Sequence, residues 1–371
     1  MKNIPFVDLK SQYLSIKPEI DNAIKKIIES TSFIGGAELD KFSEALSTLL
    51  NIKHSVTVAN GTDAIYIALK MLGIGEGDEV ITTAHSWIST SETISQTGAK
   101  PIFVDTNEFF CINTDLIESR INKNTKAIIP VHLYGNSCEM SKINQLAKKY
   151  NLFVVEDCAQ AILTKYKNKY VGTMGDAGTI SFFPGKNLGA YGDAGAIITN
   201  KSMLAKRMKM FANHGGLVKH QHEIEGINSR MDSLQAAILN VKIKYIKTWI
   251  SKRRQAADMY NYYLKDLHEV SLPLVQPHAK HSYHLYVIKT KKRKALSDFL
   301  KLKKISTGIH YPSPLPALRC YRSQQIDLSE FPNSIKDAKE ILSLPIFPEI
   351  NEKQIQFIAN AMKGFYSKYN S

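Results

Sequence analysis

Short apolar runs at residues 55–59, 79–82, 101–104, 127–131, 152–155, 179–183 and 195–199 punctuate the first two thirds of the chain. Several are apolar without alternation, the pattern of strands buried on both faces. Helical patterns lie between many of them, at 63–72, 86–97, 115–121 and 141–150. This alternation constrains the fold more than any other feature. It calls for an α/β unit with a largely parallel sheet. In such sheets ligands collect at the carboxyl ends of the strands. The polar residues Asn60, Thr62, His85, His132, Asp157 and Gln160 all fall at those ends.

The pattern restarts further on. Residues 231–265 read as long helical structure, followed by a strand at 283–288, a helix at 295–302, a strand near 305–310 and a C-terminal helix at 352–369. These form a second, smaller α/β domain, so the division expected is 1–245 and 246–371. The 371 residues suffice for two such cores.

The net charge of +14 raises the question of a polyanionic partner. The basic residues are scattered, as at Lys201, Lys206, Lys209, Lys242, Lys244 and Lys247. The denser runs 252–254 and 291–294 lack interleaved aromatics and glycines, so a solvated basic surface is expected and no nucleic-acid partner. Cys111, Cys138, Cys158 and Cys320 form no C-x-x-C pair, which argues against a metal site and for reduced thiols in a cytoplasmic protein. The N-terminal residues lack the apolar core of a signal peptide, and no stretch is long and apolar enough to span a bilayer.

Asn60-Gly61-Thr62-Asp63 ends a strand and opens a helix. It reads either as a plain turn capped by Thr62 or Asp63, or as an anion site built from helix N-terminal N–H groups. Trp87, just past the next strand, is either a core residue or a platform for a flat ring. Asp157 closes an apolar strand, and a carboxylate there needs a partner. A pyridinium N–H would serve. Gln160 could then donate to a phenolate oxygen, and Ser181 to a phosphate. Lys186, in Phe183-Pro184-Gly185-Lys186, is either a solvated loop lysine or an amine that forms a Schiff base. Taken in order, phosphate turn, aromatic, Asp, Ser and Lys point to pyridoxal 5'-phosphate (PLP), whose ring acts as an electron sink.

The chain resembles the DegT/DnrJ/EryC1/StrS family of PLP-dependent nucleotide-sugar aminotransferases. The likeness runs through Phe6-Val7-Asp8-Leu9, Ala59 to Ala64, Phe103-Val104-Asp105, Val131 to Gly135, Glu156 to Ala161, Ser181 to Lys186, Asn213-His214-Gly215, Gly226 to Asp232, His310-Tyr311-Pro312 and Leu342 to Pro345. It implies a fold-type-I aminotransferase, with PLP cycling through pyridoxamine phosphate, that works as a homodimer with shared active sites. By this likeness Lys186 carries the cofactor, Asp157 faces the pyridine nitrogen, Gln160 the ring hydroxyl and Trp87 the ring face. Gly61, Thr62, Asp63 and Ser181 surround the phosphate, and Asn228 reaches the phosphate of the neighbouring subunit's cofactor. Arg230 points toward substrate, and His310 and Tyr311 line the sugar pocket.

Two positions depart from the pattern: Ile162 and Pro316 stand where many relatives carry histidine. A dehydratase branch replaces the cofactor lysine with histidine, whereas Lys186 is present. The resemblance also implies glutamate as amino donor. The blocks at 59–64 and 226–237 look closest to the branch that aminates C3 of a dTDP-3-keto-6-deoxyhexose or a UDP-3-keto-N-acetylhexosamine uronate. C4 amination of a UDP- or dTDP-4-keto-6-deoxy sugar is the alternative.

Overall fold

The computed structural model describes residues 3–369. Met1 and Lys2, at the head of the N-terminal stretch considered above, lie outside the described residues, as do Asn370 and Ser371. Three helices come first, α1 (Leu9–Ser15), α2 (Lys17–Ser30) and α3 (Ala37–Leu50). The β-α-β rhythm follows: β1 (His54–Val58), α4 (Gly61–Met71), β2 (Glu79–Thr83), α5 (Ser89–Gln96), β3 (Lys100–Val104), β4 (Thr125–Ile129), α6 (Met140–Tyr150) and β5 (Phe153–Asp157). Next are the two-residue strands β6 (Lys165–Tyr166) and β7 (Lys169–Tyr170), then β8 (Ala177–Ser181), β9 (Gly195–Thr199) and α7 (Ser202–Phe211). The remainder comprises α8 (Ser233–Lys242), α9 (Ile246–Leu264), β10 (Ala279–Lys280), β11 (Tyr286–Lys289), α10 (Arg293–Leu302), α11 (Pro332–Glu340), β12 (Ile341–Leu344) and α12 (Glu352–Tyr369).

The main sheet runs β1-β9-β8-β5-β4-β2-β3. Pairs β2–β3, β2–β4, β4–β5 and β5–β8 are parallel; helices α5 and α6 lie between β2 and β3 and between β4 and β5, whereas β5 reaches β8 through the short strands β6 and β7. Strand β9 is antiparallel to both β8 and β1. The chain returns from β8 to β9 through a loop with no crossover helix, and such a return reverses the strand. That loop carries Lys186.

Helix α4 crosses the middle of the sheet. Ala64, Ile65, Ile67, Ala68, Leu69 and Met71 are all buried, because α4 packs between β8, β9 and the flanking helices α5 and α7. Its core joins Val58, Val155 and Ile197. On another face of the sheet, Phe182, Leu188, Ile238 and Trp249 pack with Phe42 and Leu46 of α3. A separate core around Tyr260, Tyr286, Leu296, Leu344 and Phe365 belongs to the C-terminal α/β unit, and Ile4 joins it. Helix α9 serves both: Ile246, Trp249 and Ile250 pack on the first, Ala256, Ala257, Tyr260 and Leu264 on the second.

Several elements differ from the sequence reading. The helix expected at 115–121 is only a 3-10 turn, Glu118–Arg120. Ile117 and Ile121 both pack on one core, while Leu116 is 40% exposed. The helix expected from 86 begins at Ser89, which leaves Trp87 in the preceding loop. The long helix at 231–265 breaks at 243–245 into α8 and α9. The strand near 305–310 is reduced to isolated pairings of Ile305 with Ile4 and Gly308 with Ser343. No helix among the described residues is long and apolar enough to cross a membrane.

Candidate active site

A cavity of about 540 Å³ opens at the carboxyl ends of β1, β5 and β8. Gly61, Thr62, Trp87, Asp157, Gln160, Ser181, Lys186, His310 and Tyr311 all line it. His284, Leu285, His310 and Tyr311 reach this lining from the C-terminal third of the chain, and the other lining residues come from Phe6–Asp193.

One end is the N-terminus of α4. Asn60 caps this helix by accepting from Asp63 N–H at 2.8 Å, a role the sequence reading gave to Thr62 or Asp63. Capping by Asn60 leaves Thr62 free to bond Ser89 Oγ at 2.7 Å. Gly61 is required by a close approach: a Cβ there would stand 2.7 Å from Ser181 Cβ. Ser181, Thr62 and Ser89 therefore bring hydroxyls to the positive end of a helix dipole, a set suited to a phosphate.

The other end is Asp157, 4% exposed. Its Oδ2 accepts from Thr90 Oγ1 at 2.8 Å and its Oδ1 from Ala159 N–H at 3.1 Å. Neither partner carries charge, so a cationic N–H donor presented from the cavity would complete the site. Gln160 is fixed by accepting from Tyr134 N–H at 2.8 Å, and its amide donates to Tyr311 Oη at 3.0 Å. Trp87 is 57% exposed and lies beside the Tyr311 ring, centroids 5.3 Å apart. Tyr311 N–H in turn donates to His85 Nε2 at 3.2 Å. Phe6 stacks on His310 at 5.4 Å, and His310 Nδ1 meets Ser343 Oγ at 2.9 Å.

Lys186 sits in the turn after β8, its N–H bonded to Phe183 O at 2.8 Å. Burial lowers the pKa of its amine to about 8, against the opposing pull of Asp157. Burial, and then Lys186 itself, lowers His310 to about 4; burial also holds His284 well below its usual range. The imidazoles around the amine are therefore neutral near pH 7. An amine with a pKa near 8 is about one-tenth unprotonated at pH 7, far more than an ordinary lysine. Capture of PLP by the apoprotein should therefore quicken about tenfold per pH unit below 8 and level off above it. Stopped-flow absorbance across pH 6–10 measures this; a rise that continued to pH 10 would contradict it.

Three expected site residues lie outside the cavity lining. The Asp63 carboxylate accepts from Ser229 Oγ at 2.7 Å, and Ser229 Oγ accepts from Ala59 N–H at 3.2 Å. A carboxylate committed to that serine contributes no donor toward a phosphate. The same serine pins the loop 226–232 to the outside of the phosphate turn. Asn228 is accordingly exposed, and Arg230 lines a different cavity with Gly35, Asp40 and Lys209. Arg230 donates to Asn213 Oδ1 at 3.3 Å.

Sequence reasoning missed Ser89, Thr90, Asp193 and His284, all of which line the cavity. The Ser-Thr pair opening α5 was a readable signal of hydroxyl donors at a helix start. Behind Asp157, the buried Glu156 accepts from the N–H groups of Gly172, Met174 and Gly175 at 2.7–2.8 Å and from His132 Nε2 at 3.0 Å. His132 Nδ1 accepts from Cys138 N–H at 3.1 Å. His132, Glu156 and Cys158 lie within 4.8 Å of one another, but the lone pairs of His132 and Glu156 serve hydrogen bonds that fix the mouth of β5.

The residues present fit PLP: a helix-end phosphate turn, a cavity of adequate size, a buried carboxylate and a lysine of lowered pKa. Fold and site together define a PLP-dependent aminotransferase. The model of the DegT/DnrJ/EryC1/StrS aminotransferase family matches residues 14–363, and the chain belongs to that family of sugar aminotransferases. A pleiotropic regulatory protein of Geobacillus stearothermophilus is 42% identical, covering 99% of this chain and 100% of its own. The dTDP-3-amino-3,6-dideoxy-alpha-D-galactopyranose transaminase of Aneurinibacillus thermoaerophilus is 40% identical, covering 98% and 99%. The X-ray structure of S. venezuelae DesV in complex with a ketimine intermediate superposes with a TM-score of 0.96 at 35% identity, covering 98% and 99%.

Proposed function

We propose that this aminotransferase moves an amino group from glutamate to C3 of a keto-sugar carried by a nucleoside diphosphate. The observation that carries the C3 assignment is the 40% identity, over nearly the whole of both chains, to a transaminase named for a 3-amino sugar. The likeness of the blocks at 59–64 and 226–237 to the C3-aminating branch agrees with it. The relative named as a regulatory protein invites a second reading, a non-catalytic regulator. A lysine and a carboxylate at one cavity, the carboxylate oriented by Thr90, favour the enzyme.

Bound PLP supplies the electron sink that stabilises negative charge at the donor's α-carbon. Lys186 holds the cofactor and then moves the proton at that carbon, and its lowered pKa suits it to act as base near neutral pH. Asp157 keeps the ring nitrogen protonated by ion pairing. Gln160 and Tyr311 would hold the ring hydroxyl edge, Trp87 would lie against the ring, and Gly61, Thr62, Ser89 and Ser181 would hold the phosphate. His310 and Tyr311 face the sugar. Asn228 and Arg230, which lie outside their own chain's cavity, fit a homodimer in which each site borrows them from the neighbour.

Incubating purified protein with glutamate and, separately, a 3-keto-6-deoxyhexose and a 4-keto-6-deoxyhexose nucleotide tests the proposal. NMR should place the new amine on C3. An amine at C4 would overturn the C3 reading.

A further inference from the structure

Lys242 ends α8 and is fully buried, at 0% exposure. Its Nζ donates to Gly189 O at 2.6 Å and lies 4.4 Å from the Tyr191 ring centroid. Burying an ammonium is costly unless its surroundings compensate, and methionine would fill similar space without that cost. The carbonyl and the ring face, both on the loop that carries Lys186, and the charge of Glu349 offset part of that cost, and burial still lowers the Lys242 pKa to about 8.

That loop closes on itself. Ala190 N–H bonds Phe182 O at 2.7 Å, and a Cβ on Gly189 would stand 2.2 Å from Pro184 O. Gln235, two helical turns before Lys242 on the same face of α8, accepts from Tyr191 N–H at 2.9 Å. Helix α8 thus grips the closing end of the loop at two points. Asn187 Nδ2, bonded to Ser282 O at 3.2 Å, ties the loop from the other side.

We infer that Lys242 is a positioning residue for amino transfer: bonded to the Gly189 carbonyl and seated on the Tyr191 ring, it fixes the closed loop that presents Lys186 to the cavity. This rests on Lys186 being the cofactor lysine. Without the clamp the loop loosens and water reaches the Lys186 amine, which then titrates nearer an ordinary lysine.

The test uses the full chain with Lys242→Met and with Tyr191→Leu, the latter at a 38% exposed position. Apoprotein is mixed with PLP across pH, trapped with borohydride and mapped by peptide mass spectrometry. Lys242→Met should capture PLP about tenfold more slowly at pH 7, the effect of a one-unit rise in the Lys186 pKa. Its pH midpoint should move up from about 8. Tyr191→Leu should shift both in the same direction by less. In the loaded enzyme kcat should fall while KM for the sugar stays. Wild-type capture rate and midpoint in both variants, whatever the melting temperature, would overturn the inference. Should Lys242→Met not fold, Tyr191→Leu decides alone. Label on a different lysine in the wild-type protein would instead overturn the Lys186 assignment.

Discussion

Lys186→Ala should reduce amino transfer about 10⁴-fold or more and abolish the borohydride-sensitive visible band of the bound cofactor. The lysine has two duties, and each is lost. It holds the cofactor covalently, and it moves the proton at the donor carbon, a contribution of about 10²–10⁴-fold on its own. Other groups at the cavity are poor substitutes. His310 and His284 are held neutral by burial, but they are weak bases, with His310 near 4. The loss would not come from unfolding. The amine's pKa is lowered to about 8 in the folded chain from the ordinary 10.5, so between those values the unfolded chain binds more protons. The penalty on folding is full below pH 8 and fades as the pH rises toward 10.5. The apoprotein variant should therefore melt no lower than wild type at pH 7, as scanning calorimetry would show.

Asp157→Asn should cut kcat by about 10²–10³-fold, the scale of removing one preorganised charge contact from a water-poor site. The amide keeps the shape of the carboxylate: its oxygen can still accept from Ala159 N–H, and its NH2 can donate to Thr90 Oγ1 in place of the bond the carboxylate accepted. What disappears is the negative charge that keeps the ring nitrogen protonated. The visible band should persist, since Lys186 still holds the cofactor, while turnover falls. A variant with wild-type kcat would show that Asp157 does not set the protonation of the ring.

The sequence revealed the site's local parts better than its long-range ones. Apolar runs exposed the buried strands, and strand ends then pointed to Asp157, Thr62 and Lys186, which the fold gathers at one cavity. A buried apolar run has no readable direction, so the reversal of β9 was invisible. The break between α8 and α9 at 243–245 carries neither glycine nor proline, which hid it. Thr90 reaches Asp157, and Lys242 reaches Gly189, across chain separations that no local pattern encodes. Asp63 reads as part of the phosphate turn by position alone; only the packing of Ser229 reveals where its carboxylate is committed.

The two half-reactions, run in turn with glutamate and then the keto-sugar, test amino transfer most directly. Adding glutamate to the yellow protein should bleach the visible band with release of one 2-oxoglutarate per site. Adding the 3-keto nucleotide sugar should restore the band and yield a 3-amino sugar. A band unmoved by glutamate and by the keto-sugar would contradict the central claim that this cavity performs amino transfer to a nucleotide sugar.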